Sequence, residues 1–254
     1  MNRKISKKEF YEMSKSFLEY MDFLKQDRKN CRKNQLIKTG MLPHENFNFK
    51  IIKQLLPNGY QSKKIQQLGL ETKLIHLIQS LNYTNELIIE SNDLYNFIKT
   101  STVYQNYMSV YNFHKLTFTN EYIVHMIKRF IDEIISITSI LKYGGDNIKV
   151  NSIGNYIKDG QDDLNEYDQF KEFFIKLNDT DNAIKHSYSN TLLTGHCGIY
   201  ENIIVVEYSK NGKKIYEPQT IYITINELIE QLNEFYRFSF QIIDNLLIQS
   251  ADIN

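Results

Sequence analysis

Apolar residues return every three or four positions along most of this sequence, the period of a helix with one buried face. Phe10, Met13, Phe17, Met21 and Leu24 follow Ser6-Lys7-Lys8-Glu9, a capping box whose Ser and Glu side chains satisfy the first free N–H groups. That first helix is expected to continue as a basic polar run to about Lys38, ahead of Gly40 and Pro43. A short helix over about 45–56 ends at Pro57-Asn58-Gly59, and another over about 62–81 carries Ile65, Leu68, Leu74 and Leu77. From about 84 to 113 the pattern is looser and rich in Tyr, with a break expected near Thr100-Ser101-Thr102. The clearest helix spans about 120–142, where Ile123, Ile127, Phe130, Ile134, Ile137 and Leu141 step by alternating fours and threes. This heptad seam reads as the core of a bundle, with a dimer contact as the rival.

Gly144-Gly145 closes that helix, and about fifteen residues of polar loop are expected to follow. The next amphipathic segment, about 162–177, puts Leu164, Tyr167, Phe170, Phe174 and Leu177 on one side. A polar break at Asn178-Asp179 leads to a helix over 182–188. Then the period changes. Ile203-Ile204-Val205-Val206, a turn at Asn211-Gly212 and a returning run over 219–223 describe a hairpin. Thr224-Ile225-Asn226-Glu227 is a second capping box, opening a last helix with Leu228, Leu232, Phe235, Ile242 and Leu246 on one face. The pattern predicts an all-α helical bundle with one β-hairpin, about 198–223, inserted before the C-terminal helix. The chain reads as a single helical unit over 1–254. A subdivision near residue 116 would give an N-terminal helical region, 1–115, and a bundle with the hairpin, 116–254.

Composition narrows the class. With 254 residues and 42% hydrophobic content the chain can bury a full core, and 10 Gly and 3 Pro exclude a linker-like or collagenous sequence. Cys31 and Cys197 cannot form a disulfide framework, which points to the reducing cytoplasm. The opening MNRKISKKEF has basic residues but no apolar run behind it, so it is not expected to be a signal peptide. No stretch approaches the length of a membrane span. Thirty Lys+Arg balance thirty Asp+Glu, yet the balance is local cancellation. Residues 1–38 hold eleven basic and five acidic side chains, while 159–182 hold eight acids and two lysines. The basic N-terminal helix can therefore meet RNA or an acidic partner protein, or cover the acidic segment.

One short stretch carries candidate chemistry: Asp181-Asn182-Ala183-Ile184-Lys185-His186-Ser187. On a helix, Asn182 and His186 share a face and Lys185 sits beside them. Asn182 followed four residues later by His186, with the flanking "DNAIKHS", resembles the HEPN families of helical nucleotide-binding and RNA-cleaving proteins. Their hallmark is an Arg, often followed by Asn, then four to six residues to a His at the start of a bundle helix. The motif covers about ten residues here, and the architecture about 120–250. The resemblance implies a homodimer and an RNA-related role: a metal-independent endoribonuclease in phage defence or a toxin–antitoxin system, without cofactor. His186 would be its general acid or base, with Asn182 and Lys185 holding phosphate. The alternative is a non-catalytic HEPN-like interaction module that binds a partner protein or nucleotide.

This sequence has Asp181 where the family has its Arg. An Arg forks onto phosphate oxygens, whereas a carboxylate repels them. Asp181 and Lys185 also form an i,i+4 pair of favourable order. A purely structural reading makes Asn178 or Asp179 the N-cap, Asp181 a first-turn acid favoured by the helix dipole, and His186 a bundle hydrogen-bonder.

The remaining candidates are bland. His196-Cys197 lies between glycines without further metal ligands at zinc-site spacing, and no metal is expected. His125 sits two residues after a seam position and reads as a surface or hydrogen-bonding residue. His44 reads as a turn residue, and His76 and His114 as isolated. The 18 Tyr and 15 Phe read chiefly as half-buried core, with base stacking between basic residues as the rarer use.

Overall fold

The computed structural model describes residues 63–100, 107–160, 164–186, 202–208 and 219–252, all within one compact unit, Leu36–Asn254. The expected helices over 6–38 and 45–56 and the Asn211-Gly212 turn lie outside the described residues, as do His44, Cys31 and His196-Cys197. Four long helices carry the fold: α1 (Lys63–Thr100), α2 (Tyr107–Tyr143), α4 (Lys171–His186) and α5 (Ile225–Asp252). A short α3 (Ile153–Asn155) lies between α2 and α4. Strands β1 (Ile203–Tyr208) and β2 (Gln219–Thr224) pair antiparallel just before α5. The architecture is a helical bundle with one hairpin ahead of its C-terminal helix, as the sequence pattern predicts.

α2 is the central mast. All six seam residues, Ile123 to Leu141, are buried within this single chain. Around them close Leu81 and Ile88 of α1, Phe174 and Leu177 of α4, and Leu228, Leu232 and Phe235 of α5. Neighbouring helices run antiparallel, as paired residues show. Lys115 meets Glu90 across α2 and α1, while Lys142 meets Glu166 and His125 meets Asp181 along α2 and the α4 segment. One end is aromatic, with Tyr156, Tyr167, Phe170, Phe174 and Phe235 packed edge-on or tilted at centroid distances from 5.4 Å. Such pairs add to the area they bury by about 0.5–1.5 kcal/mol each.

The helices are longer than their periodicity suggested. α1 runs unbroken through Asn82-Tyr83, and α2 starts at Tyr107 rather than near 120, carrying residues 115 and 116 inside one helix. Poor helix formers are accommodated by bonding backwards. Thr84 Oγ1 donates to the Ser80 carbonyl at 2.7 Å, Asn85 Nδ2 to Leu81 at 3.2 Å and Thr117 Oγ1 to Phe113 at 3.1 Å. A side chain satisfied on the preceding turn no longer competes for the backbone. α1 does end at Thr100, where a break was expected. Gly144 ends α2 at φ 81°, its N–H bonded to the Ile140 carbonyl at 2.8 Å. That left-handed position favours glycine.

The polar loop expected after Gly145 is only partly a loop. Val150, Ile153, Tyr156 and Leu164 are buried, and the Ile153 N–H donates to Asp132 Oδ1 at 2.7 Å. Four apolar residues spaced through a polar stretch are too sparse to show periodicity, yet they anchor it on the core. In the hairpin, Ile204 pairs with Ile223 and Val206 with Ile221 on the inner face, leaving Tyr222 60% exposed on the outer. The second capping box forms by half. Thr224 Oγ1 accepts from the Glu227 N–H at 2.9 Å, while the Glu227 side chain turns instead to Lys176 at 2.6 Å.

Alkaline stability follows from two buried phenols. Burial pushes the Tyr167 hydroxyl up to about 12, and burial with the hydrogen bond to Asp168 pushes Tyr156 well above the usual tyrosine range. An unfolded chain loses these protons near the ordinary value, about 10, so it sheds them first and stability falls as pH rises above that point. Urea midpoints should drop between neutral pH and about pH 11, and less steeply in Tyr167→Phe. An unchanged slope in that variant would remove Tyr167 from the explanation.

Candidate functional site

The expected polar break at Asn178-Asp179 does not occur, and this changes the meaning of the motif. α4 continues from Lys171 to His186, so Asp181-Asn182-Ala183-Ile184-Lys185-His186 is its end rather than the start of a helix. Thr180 makes this passable by donating its hydroxyl to the Lys176 carbonyl at 2.8 Å. Asn178 and Asp179 are therefore not caps. Asp181 lies near the C-terminal end, where the helix dipole disfavours a carboxylate. His186 is the final residue of α4, one turn beyond Asn182, which is partly exposed.

Asp181 is nonetheless 1% exposed. A buried carboxylate needs opposite charge and hydrogen bonds to remain there. Both are supplied. Lys185 Nζ donates to Oδ2 at 2.6 Å from the next turn, and Lys128 Nζ of α2 approaches the same oxygen at 3.9 Å. His125 Nδ1 lies 3.2 Å from Oδ1. A carboxylate only accepts, so Nδ1 carries the hydrogen in this contact. Lys128 is in turn held by Asp132 Oδ2 at 2.9 Å, one turn along α2, and the other Asp132 oxygen takes the Ile153 N–H. The result is a continuous polar ladder from α3 across α2 to the end of α4.

What the ladder can do follows from its charges. Two lysines face two carboxylates, so the lysine charge of the ladder is balanced by its own acids. Lys185, which the sequence put forward as a phosphate ligand, is engaged by Asp181, as the i,i+4 spacing predicts. Asn182 stands beside the pair on the same turn. The structure thus brings together Asp181, Asn182 and Lys185 and adds two residues from α2, Lys128 and His125. Sequence spacing could not supply those two, because they come from 53 and 56 positions away. Their sequence signal was limited to being polar one face away from the seam.

Among the described residues, no group of three or more His, Cys, Asp or Glu side chains could hold a metal ion. No helix among them is long and apolar enough to cross a membrane. The fold and this ladder define a helical bundle whose α2–α4 contact is charge-balanced. No protein-family model matches the chain, and neither does any curated protein or solved structure.

Removing Asp181 should therefore be a stability change. Asp181→Ala deletes the acceptor for Lys185 and His125 and the counter-charge near Lys128, and is expected to cost about 2 kcal/mol. Lys185→Ala, acting on a side chain 44% exposed, should cost no more than about 0.5 kcal/mol. Urea unfolding of the two variants measures the contrast, and equal losses would refute the buried carboxylate as the anchor.

Proposed function

We propose that this chain is a HEPN-like bundle that binds RNA without cleaving it, working as an interaction module in the reducing cytoplasm. The observation that supports the non-cleaving half is Asp181. At the position where the family's Arg would meet the scissile phosphate, this chain carries a buried carboxylate with Lys185, Lys128 and His125 gathered on it. An endoribonuclease working through His186, with Asn182 and Lys185 on the phosphate, needs a cation free to follow charge as it develops on the phosphoryl oxygens. The nearest lysine is already bound to Asp181 at 2.6 Å. A phosphate arriving there would have to displace a carboxylate from a favourable buried contact. The RNA-related role itself comes from the resemblance of Asn182 and His186 to the family motif. Neither a homodimer nor a partner protein is needed for this reading.

Incubating the purified full chain with mixed RNAs in EDTA separates the alternatives. The expected outcome is RNA retained by the protein on a filter and no cleavage by either wild type or His186→Ala. Cleavage that disappears in His186→Ala would restore the endoribonuclease. A failure to retain any RNA would sink the binding role.

A further inference from the structure

α2 has a second stripe, on the side away from the core. Tyr111, Lys115, Phe118, Tyr122, His125 and Arg129 step by four, three, four, three and four. At 3.6 residues per turn they fall within an arc of about 80° and extend along roughly 27 Å of helix. All three rings are open to solvent: Tyr111 is 59% exposed, Phe118 67% and Tyr122 44%. Rings of this size on a helix are normally turned inward, and three exposed in one line is an apolar patch that needs a use. Tyr83 of α1 widens it, meeting the Tyr122 ring edge-on at 6.0 Å.

Lys115 stands between the first two rings, and His125 and Arg129 follow the last. Lys115 is held beside the stripe by Glu90 at 2.5 Å, and His125 lies 6.5 Å from the Tyr122 ring, centroid to centroid, while contacting Asp181. Arg129 is exposed and makes no ion pair among the described residues. No acid occupies any of the six positions. A purely apolar partner would gain nothing from the exposed guanidinium of Arg129 at the end of the stripe. Unpaired bases gain from both parts, since every base has a face to stack on a ring and every phosphate a charge to meet a cation. Phe118 and Tyr122 are one turn apart, about 6 Å along the axis, which suits successive bases drawn out along a strand.

The geometry points to the outer face of α2 as a binding strip for single-stranded nucleic acid, with Tyr111, Phe118 and Tyr122 as stacking platforms and Arg129 on the backbone. This rests on the RNA-binding reading above and adds the site and the strandedness. It does not involve Asn182, Lys185 or His186.

The sequence has no Trp, so Phe118→Trp introduces a single indole reporter at the most exposed of the three rings. The strip requires its fluorescence to be quenched by oligo-uridine and not by a duplex of equal length, with oligo-thymidine deciding whether the sugar matters. Phe118→Ala and Tyr122→Ala should each weaken oligo-uridine binding about fivefold or more, and Arg129→Ala should lower its salt dependence. Tyr222→Ala, an exposed ring on the hairpin, should leave binding unchanged. Oligo-uridine bound equally by wild type and both ring variants would overturn the strip while leaving RNA binding intact elsewhere. Binding to no RNA at all would overturn both, and preference for duplex would overturn the strandedness. Retained circular dichroism in the variants distinguishes lost binding from lost fold.

Discussion

Three polar side chains closed on one another set the register of this bundle. Ser91 of α1 donates to Asn120 of α2, Asn120 Nδ2 donates to Asn202 Oδ1 at 2.9 Å, and Asn202 Nδ2 returns to Ser91 Oγ at 2.7 Å. All three are buried, and they join segments 29, 82 and 111 residues apart. Leucine and isoleucine surfaces tolerate a slip of one turn with modest loss. A buried amide separated from its partners does not, because each unsatisfied group costs about 1–3 kcal/mol. The Asn202 carbonyl also accepts the first N–H of α5, from Ile225, at 3.1 Å. One residue ahead of β1 thus ties the hairpin to α1 and α2 and fixes where α5 begins.

With α2 held in that register, its two faces acquire fixed duties. The inner seam fills the core, and the intermediate positions His125, Lys128 and Asp132 are delivered to the end of α4. The buried Asp181 is then a consequence of helix placement: it is stable because α2 presents Lys128 and His125 to it. Alone, α4 would carry a carboxylate at its unfavourable end with a single exposed lysine for company. The ladder is a tertiary feature, and it replaces the local N-terminal logic that the same residues suggest in isolation.

The bundle, the seam, the hairpin and the second capping box were legible because each rests on near-neighbour rules: period 3.6, period 2, and an oxygen two or three residues from a free N–H. The helix end expected near 81 and the break expected at Asn178-Asp179 are both absent, for a common reason. Asn, Asp and Thr favour turns only while their side chains compete with the helix, and here Asn85 and Thr180 bond to the carbonyl four residues back while Asp181 is claimed by α2. The Asp181–Lys185 pair was legible from spacing, but its burial was not, since burial depends on α2. The outer stripe was written in the sequence at the same alternation as the inner seam, offset around the helix. A pattern of rings does not by itself say which of two stripes faces solvent, and the tyrosines read most simply as core.

Net charge tells little about what this surface can bind. Five lysines, 115, 128, 142, 176 and 185, each lie within 2.9 Å of an acid, and three of those acids, Glu90, Glu166 and Glu227, are on a different segment from their lysine. Those pairs hold segments together, and neutrality is their by-product. A lysine so engaged offers a polyanion less than its formal charge, because binding must first loosen an existing contact. Arg129 carries no such engagement among the described residues, and its guanidinium pairs with phosphate and stacks on rings alike. Affinity for a polyanion on this bundle therefore depends on where an unengaged cation meets exposed aromatic surface. The overall balance of thirty against thirty is silent on that point, whereas the outer face of α2 is where the two coincide.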